Sequence, residues 1–176
     1  MLRALVPTPG TATMRRSPPT GRCSFCNGAT GPWSCDDACG PCHLALNLGR
    51  PRIDDEVVLC WLPEISQAVV SRMVGEMHRR LAGSIKATTA SAAAHYVGTT
   101  PTERVERAGE ILGTTQASEL AQALTLLSPE TYAVRHRLLA GIRILPTGRL
   151  LVDDTDIFPD LVAHWSSVGS SLAEAE

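Results

Sequence analysis

Five of the six cysteines in this chain fall within twenty residues: Cys23, Cys26, Cys35, Cys39 and Cys42, with His43 directly after. They include two CxxC units, "CSFC" and "CGPC", separated by twelve residues. Each unit closes a tight turn around one ion and contributes two sulfurs, so a pair of them supplies a tetrahedral four-thiolate shell. Zinc imposes no d-electron geometry of its own and accepts such a shell at about 2.3 Å. A single CxxC is a weak signal, whereas two at this separation are a specific one. Between them, "NGATGPWS" has the glycine and proline content of a turn or short hairpin.

Cys39-Gly40-Pro41-Cys42 is also, letter for letter, a thioredoxin-type redox motif. That chemistry needs a strand ahead of the motif within a βαβ unit and a helix end that lowers the thiol pKa. Here the preceding residues are "PWSCDDA", whose Asp36 and Asp37 would raise a nearby thiol pKa, and no buried strand leads in. A structural zinc site is therefore the expectation, with Cys23, Cys26, Cys39 and Cys42 as ligands. Cys35 or His43 remains the alternative for one position. Cys60, inside the apolar run "LCWL", reads as a small buried hydrophobe.

The formal net charge of −2 argues against a chain whose main task is neutralising phosphates. With 44% hydrophobic and 19% charged residues, 176 residues suffice for a packed core. Lys86 is the only lysine, so nearly all positive charge is guanidinium. No targeting segment is visible, and no run approaches the roughly 18 apolar residues that would cross a bilayer. The reading is cytoplasmic, where thiols stay reduced and clustered cysteines point to metal rather than disulfides.

Four segments follow: a flexible arm over 1–21, a zinc knuckle with short strands over 22–62, a helical body over 63–168 and a tail over 169–176. "HLALNLG" gives about two helical turns ended by Gly49. A strand-turn-helix bearing two CxxC units is a treble-clef arrangement, shared by many zinc modules and by HNH endonucleases. "EVVLCWLP" is a buried strand, and Pro63 is expected to open a helix whose core stripe is Ile65, Ala68, Val69, Met73, Met77 and Leu81. His78, Arg79 and Arg80 read as a solvated face, with a phosphate patch as the sharper option. "TPTERVERAGEILG" begins a helix capped by Thr100, "SELAQALTLL" continues with an apolar face, and Ser128-Pro129 opens "PETYAVRHRLLAGIRIL". A last helix, "DIFPDLVAHWSS", carries Phe158, Leu161 and Trp165 on one side. Arg104, Arg107, Arg135, Arg137 and Arg143 are scattered guanidiniums, and His95, His136 and His164 read as structural or surface residues. The fold class is α+β, mostly α. There is no internal repeat, phosphate-binding glycine loop, GxSxG or convergent carboxylate pair, so the chain reads as a non-enzyme.

The two cysteine pairs, "LCWLPEISQAVVSRM" over 59–73, and "GIRILPTGRL" over 141–150 followed by Trp165 together resemble the DotN/IcmJ family. These are zinc-binding adaptors of Dot/Icm-type (type IVB) secretion systems. The resemblance spans about residues 20 to 168. It implies an HNH-like zinc fold without catalysis and attachment to the C-terminal extension of the coupling-protein ATPase. That places the chain peripheral to the inner membrane through the coupling complex of a secretion or conjugation system. Carried over are the four cysteines as ligands. A zinc-finger nucleic-acid binder and a degenerate HNH endonuclease are the competing classes; the acidic balance disfavours the first, and the lack of a catalytic His/Asn set disfavours the second.

Overall fold

A computed structural model describes residues 3–19, 21–35, 37–83 and 102–173, with the side chains of 81–83 and 168–173 outside the description. In chain order the elements are β1 (Arg15–Arg16), β2 (Trp33–Ser34), α1 (Gly40–Leu46), α2 (Ile53–Glu56), β3 (Val57–Trp61), α3 (Gln67–Gly83), α4 (Thr102–Leu112), α5 (Ala117–Thr125), α6 (Pro129–Ala133), α7 (Arg135–Leu138), β4 (Ile142–Pro146), β5 (Leu151–Val152), β6 (Thr155–Asp156) and α8 (Phe158–Ala173). The architecture is α+β, with helices dominating and, among the described residues, three two-stranded antiparallel ribbons.

The β3–β4 ribbon is the centre. It runs in register from Val57 opposite Pro146 to Trp61 opposite Ile142. β3 is the buried strand that "EVVLCWLP" predicts. β4 corrects the sequence reading, which continued a helix through "GIRIL". Gly141 sits at φ +86°, in the left-handed region that ends a helix, and a Cβ there would lie 2.2 Å from Cζ3 of Trp61. The branched Ile142 and Ile144 then suit a pleated strand whose residues pack inward. The expected single helix from Pro129 is instead two short pieces, α6 and α7. Its start is as read: Ser128 accepts the N–H of Thr131 at 3.2 Å.

The outer edge of β4 is closed by a side chain. The amide of Gln67 donates to the Ile144 carbonyl at 2.8 Å and accepts the Ile144 N–H at 2.7 Å, pairing like an added strand residue. This pins the start of α3. That helix begins at Gln67 rather than at Pro63, which lies in a turn; Ser66 caps it, its hydroxyl accepting the Val69 N–H at 3.3 Å. The buried face of α3 is Gln67, Val70, Ser71, Val74 and His78, not the apolar stripe the sequence suggests. Val69 and Met73 from that stripe are 44% and 53% exposed. Leu81 lies outside the side-chain description, and Thr100, Pro101 and His95 lie outside the described residues.

α8 packs against α3, burying Phe158, Leu161 and Trp165 as its pattern predicts, and Val162 as well. α1 and α4 cover the ribbon from other sides. The sequence reads 1–21 as an arm; its described part is laid along the loop after α1. Thr8 donates its N–H to Ala45 and accepts that of Leu48 (3.2 and 3.0 Å), Gly49 donates to Gly10 (2.9 Å), and Met14 is buried in the core. α1 ends at Leu46, capped by Asn47 rather than Gly49.

His78, read from sequence as part of a solvated face, is fully buried and packs edge-on against Phe158 at 4.8 Å between centroids. Neither of its ring nitrogens has a hydrogen-bond partner among the described residues. Burial lowers its pKa to about 4. The unfolded imidazole takes up a proton through pH ~6.5 and the folded one does not, so this stability is present above that pH and is lost as pH falls towards 4. His78→Phe, which keeps the ring packing, is expected to remove this loss. Between pH 7 and pH 5 the native chain should lose about 2 kcal/mol more than the variant in urea titrations. Equal losses would show that His78 does not carry the proton linkage.

Candidate metal centre

The first CxxC lies in a turn between paired backbones. Arg22 and Ala29 form a bridge, the Cys23 N–H donates to Gly28 O at 2.8 Å, and Asn27 N–H donates to Cys23 O at 3.0 Å. Asn27 has φ +58°, a conformation its short polar side chain tolerates. The second CxxC opens α1: Cys39 is the N-cap, Pro41 occupies the first turn where no N–H is required, and Cys42 follows on the helix. Ser24 N–H to Asp37 O at 3.0 Å ties the loops together.

This geometry gathers Cys23, Cys26, Cys39 and Cys42. Their four sulfurs all lie within 4.8 Å of one another, and Cys26 and Cys39 Sγ are 3.6 Å apart. A tetrahedral ion with bonds of about 2.3 Å requires sulfur–sulfur edges of about 3.8 Å. A disulfide would need about 2.05 Å. The four sulfurs are spaced as a shell that could hold a metal ion.

Backbone amides surround the cluster with donors. Cys23 Sγ accepts from Phe25 N and from Cys39 N, and Cys26 Sγ from Gly28 N, each at 3.4 Å. A Cβ on Gly28 would stand 3.2 Å from that sulfur, so glycine allows the approach. Such bonds favour thiolate, the form that binds metal. The sulfurs do not titrate alike: hydrogen bonding from Cys26, then from Cys39 and Cys42, holds Cys23 far below the usual thiol range. Cys39 and Cys42 are pushed well above it, first by their bonds to Cys23 and then to Cys26, with burial adding to both. A divalent cation held among the four sulfurs would stabilise all of them as thiolates at once.

The same burial argues against the redox reading of "CGPC". Each of the four cysteines is at most 5% exposed. A thiol that exchanges disulfides needs access to its partner.

Cys35 and His43, the two alternative ligands, are outside the cluster. Cys35 pairs with Ala38 in an isolated bridge and packs on the main core. His43 is buried on α1 next to Asn47, their Nδ1 and Nδ2 3.2 Å apart; burial, then the Arg50 charge, lowers its pKa to about 3. Cys60 is fully buried, donates to Arg143 O at 3.6 Å, and is raised by burial to about pKa 11. Asp36 lies outside the described residues.

Sequence reasoning missed the buried ion pair that braces the knuckle against the body. Arg50 Nη2 lies 3.2 Å from Glu56 Oε1, with side chains 2% and 0% exposed. Glu56 Oε1 also accepts the Leu151 N–H, and Arg50 donates to the Leu151 carbonyl. Six residues apart within the charged stretch "RPRIDDE", the two read as ordinary surface charges and gave no periodic signal. Trp165 closes the other side, donating its indole N–H to Thr30 O at 3.1 Å.

Among the described residues no helix is long and apolar enough to cross a membrane. No family model matches the chain, and no curated protein is a significant match.

Proposed function

We propose that this chain is a non-enzymatic adaptor subunit of a type IVB secretion or conjugation coupling complex. Its four-cysteine shell holds zinc, its knuckle and α1 form a treble-clef, HNH-like unit, and its partner is the C-terminal extension of the coupling-protein ATPase. Zinc is the ion because four thiolates in a closed, buried shell suit a structural, redox-inactive d¹⁰ centre. The chain would then work in the cytoplasm, reaching the inner membrane through its partners.

The observation that supports this reading is the meeting in space of the stretches that carry the family resemblance. Trp61 and Gln67 of "WLPEISQ" contact Gly141 and Ile144 of "GIRILP", while Trp165 bonds the knuckle at Thr30. The shared motifs form one framework around the cysteine cluster. The non-enzymatic reading is supported by His43, the histidine beside the second cysteine pair, bonding Asn47 and lying outside the cluster.

The test is co-purification with the C-terminal extension of a type IVB coupling-protein ATPase from the same organism. A stable complex is expected, together with no appreciable DNA affinity at physiological salt. Failure to bind that extension, or magnesium-dependent nuclease activity abolished by changing a histidine, would overturn the adaptor reading.

A further inference from the structure

Two residues of the apolar stripe that sequence places in the core, Val69 and Met73, are on the outside of α3, on a face that borders a basic cleft. Val69, Arg72, Met73, Glu76 and Arg80 recur at three- and four-residue steps and so share one face of α3. Val69, Arg72, Met73 and Arg80 on that face are exposed. Beside it, between α3 and the first cysteine turn, lies a cleft of about 790 Å³. Ala29, Pro41 and Trp165 give it apolar walls, and Arg22, Arg72, Arg79 and Arg80 give it a basic rim against the single carboxylate of Glu76. Glu76 is already held by Arg79 and Arg80, at 2.6 and 2.8 Å. The cleft is thus strongly positive on a chain whose formal net charge is −2.

We infer that this cleft and the adjoining face of α3 are the docking groove for an acidic, amphipathic peptide segment of a protein partner. Charge complementarity selects the acidic side chains, since guanidiniums pair carboxylates in a planar, bidentate fork. Val69 and Met73 select the apolar ones, methionine being adaptable to the shape laid on it. Three of the rim arginines have partners in the chain, Arg79 and Arg80 with Glu76 and Arg22 with the Asn27 carbonyl at 3.1 Å. Four guanidiniums against one carboxylate still leave the rim with excess positive charge for an acidic segment to meet. A nucleic acid is the poorer occupant: its bases stack on aromatic faces, and among the described residues lining the cleft the one aromatic ring, Trp165, is buried and bonded to Thr30. Within the chain, the 84–101 segment is a poor match, because it carries Lys86 and no acidic residue. The inference deepens the adaptor reading and rests on it for the existence of a protein partner.

The test uses the full chain and fluorescence anisotropy. Its probes are a labelled 20-residue peptide with Glu and Leu at helical spacing, the same peptide with Lys for Glu, and a 20-nucleotide single strand of DNA. The acidic peptide is expected to bind at least tenfold more tightly than either other probe. Arg22→Glu combined with Arg72→Glu should weaken it at least tenfold, with metal content and circular dichroism unchanged, since both side chains are exposed. Met73→Glu should weaken it as well. Equal binding of the acidic and basic peptides, insensitivity to the arginine changes, or preferential binding of the DNA strand would overturn the inference. The ATPase extension separates the two readings. If it binds native and doubly substituted chains alike, the groove is wrong and the adaptor stands. If it fails to bind while the acidic peptide binds through Arg22 and Arg72, the groove stands and the adaptor falls.

Discussion

Replacing Cys42 by serine is expected to leave the chain without its metal and without a cooperative fold. Cys42 is fully buried, belongs to the four-sulfur cluster and sits on the helix that packs against α3 and β4. Structural zinc in small modules contributes on the order of 10 kcal/mol of coupled folding energy. Whole domains are stable by only about 5–15 kcal/mol. Losing one thiolate therefore removes a large part of the total, and the part of the knuckle that carries the cysteines has few other buried apolar groups. Apart from sulfur, its own buried cluster contains only Phe25 and Ala38. Metal analysis should fall from one equivalent to near zero, and near-ultraviolet circular dichroism should lose its tertiary signal. Cys35→Ser, outside the cluster, is the control and should retain the metal. Full metal content and an unchanged melting temperature in the Cys42 variant would remove that residue from the site.

The second large effect is expected at Glu56. Burial raises its carboxyl above the ordinary range, against the pull of the Leu151 N–H and Arg50, and burial likewise lowers the Arg50 guanidinium. Both partners resist being charged where they are, so each is tolerated because the other is present. Removing one carboxylate from such a pair costs about 3–5 kcal/mol, because the buried guanidinium is left uncompensated. Glu56→Ala should reach that range in urea titrations. Arg50→Met with Glu56→Leu should recover only part of it, since the apolar pair removes the buried charge but leaves the Leu151 N–H and carbonyl without their side-chain partners. A loss below about 1 kcal/mol for Glu56→Ala would mean that water reaches Arg50 and that the pair does not brace the knuckle.

The cysteine cluster was legible because ligand spacing is local: each CxxC closes its own turn, and only one long-range step joins them. The strand at Val57–Trp61 and the inward face of α8 were legible for a similar reason, their periods being carried within a few residues. β4 was not. "GIRIL" follows a helical stretch, and its strand character comes from Gly141 turning under Trp61 and from pairing with a segment more than eighty residues earlier. α3 misled in a more useful way. Its buried face uses Gln67, Ser71 and His78, polar residues accepted by β4 or by the ring of Phe158, while apolar Val69 and Met73 stay outside. Hydrophobic periodicity reports which face avoids water, not which molecule covers it. The Arg50–Glu56 pair was invisible because buried charges have no sequence signature when the partner groups, here the Leu151 backbone, are a hundred residues away.

X-ray absorption at the zinc edge, joined to native mass spectrometry of the purified chain, tests the central claim most directly. One zinc per chain with four sulfurs at about 2.3 Å is the expected result. A native, folded chain that carries no metal, with Cys39 and Cys42 joined as a disulfide, would contradict it.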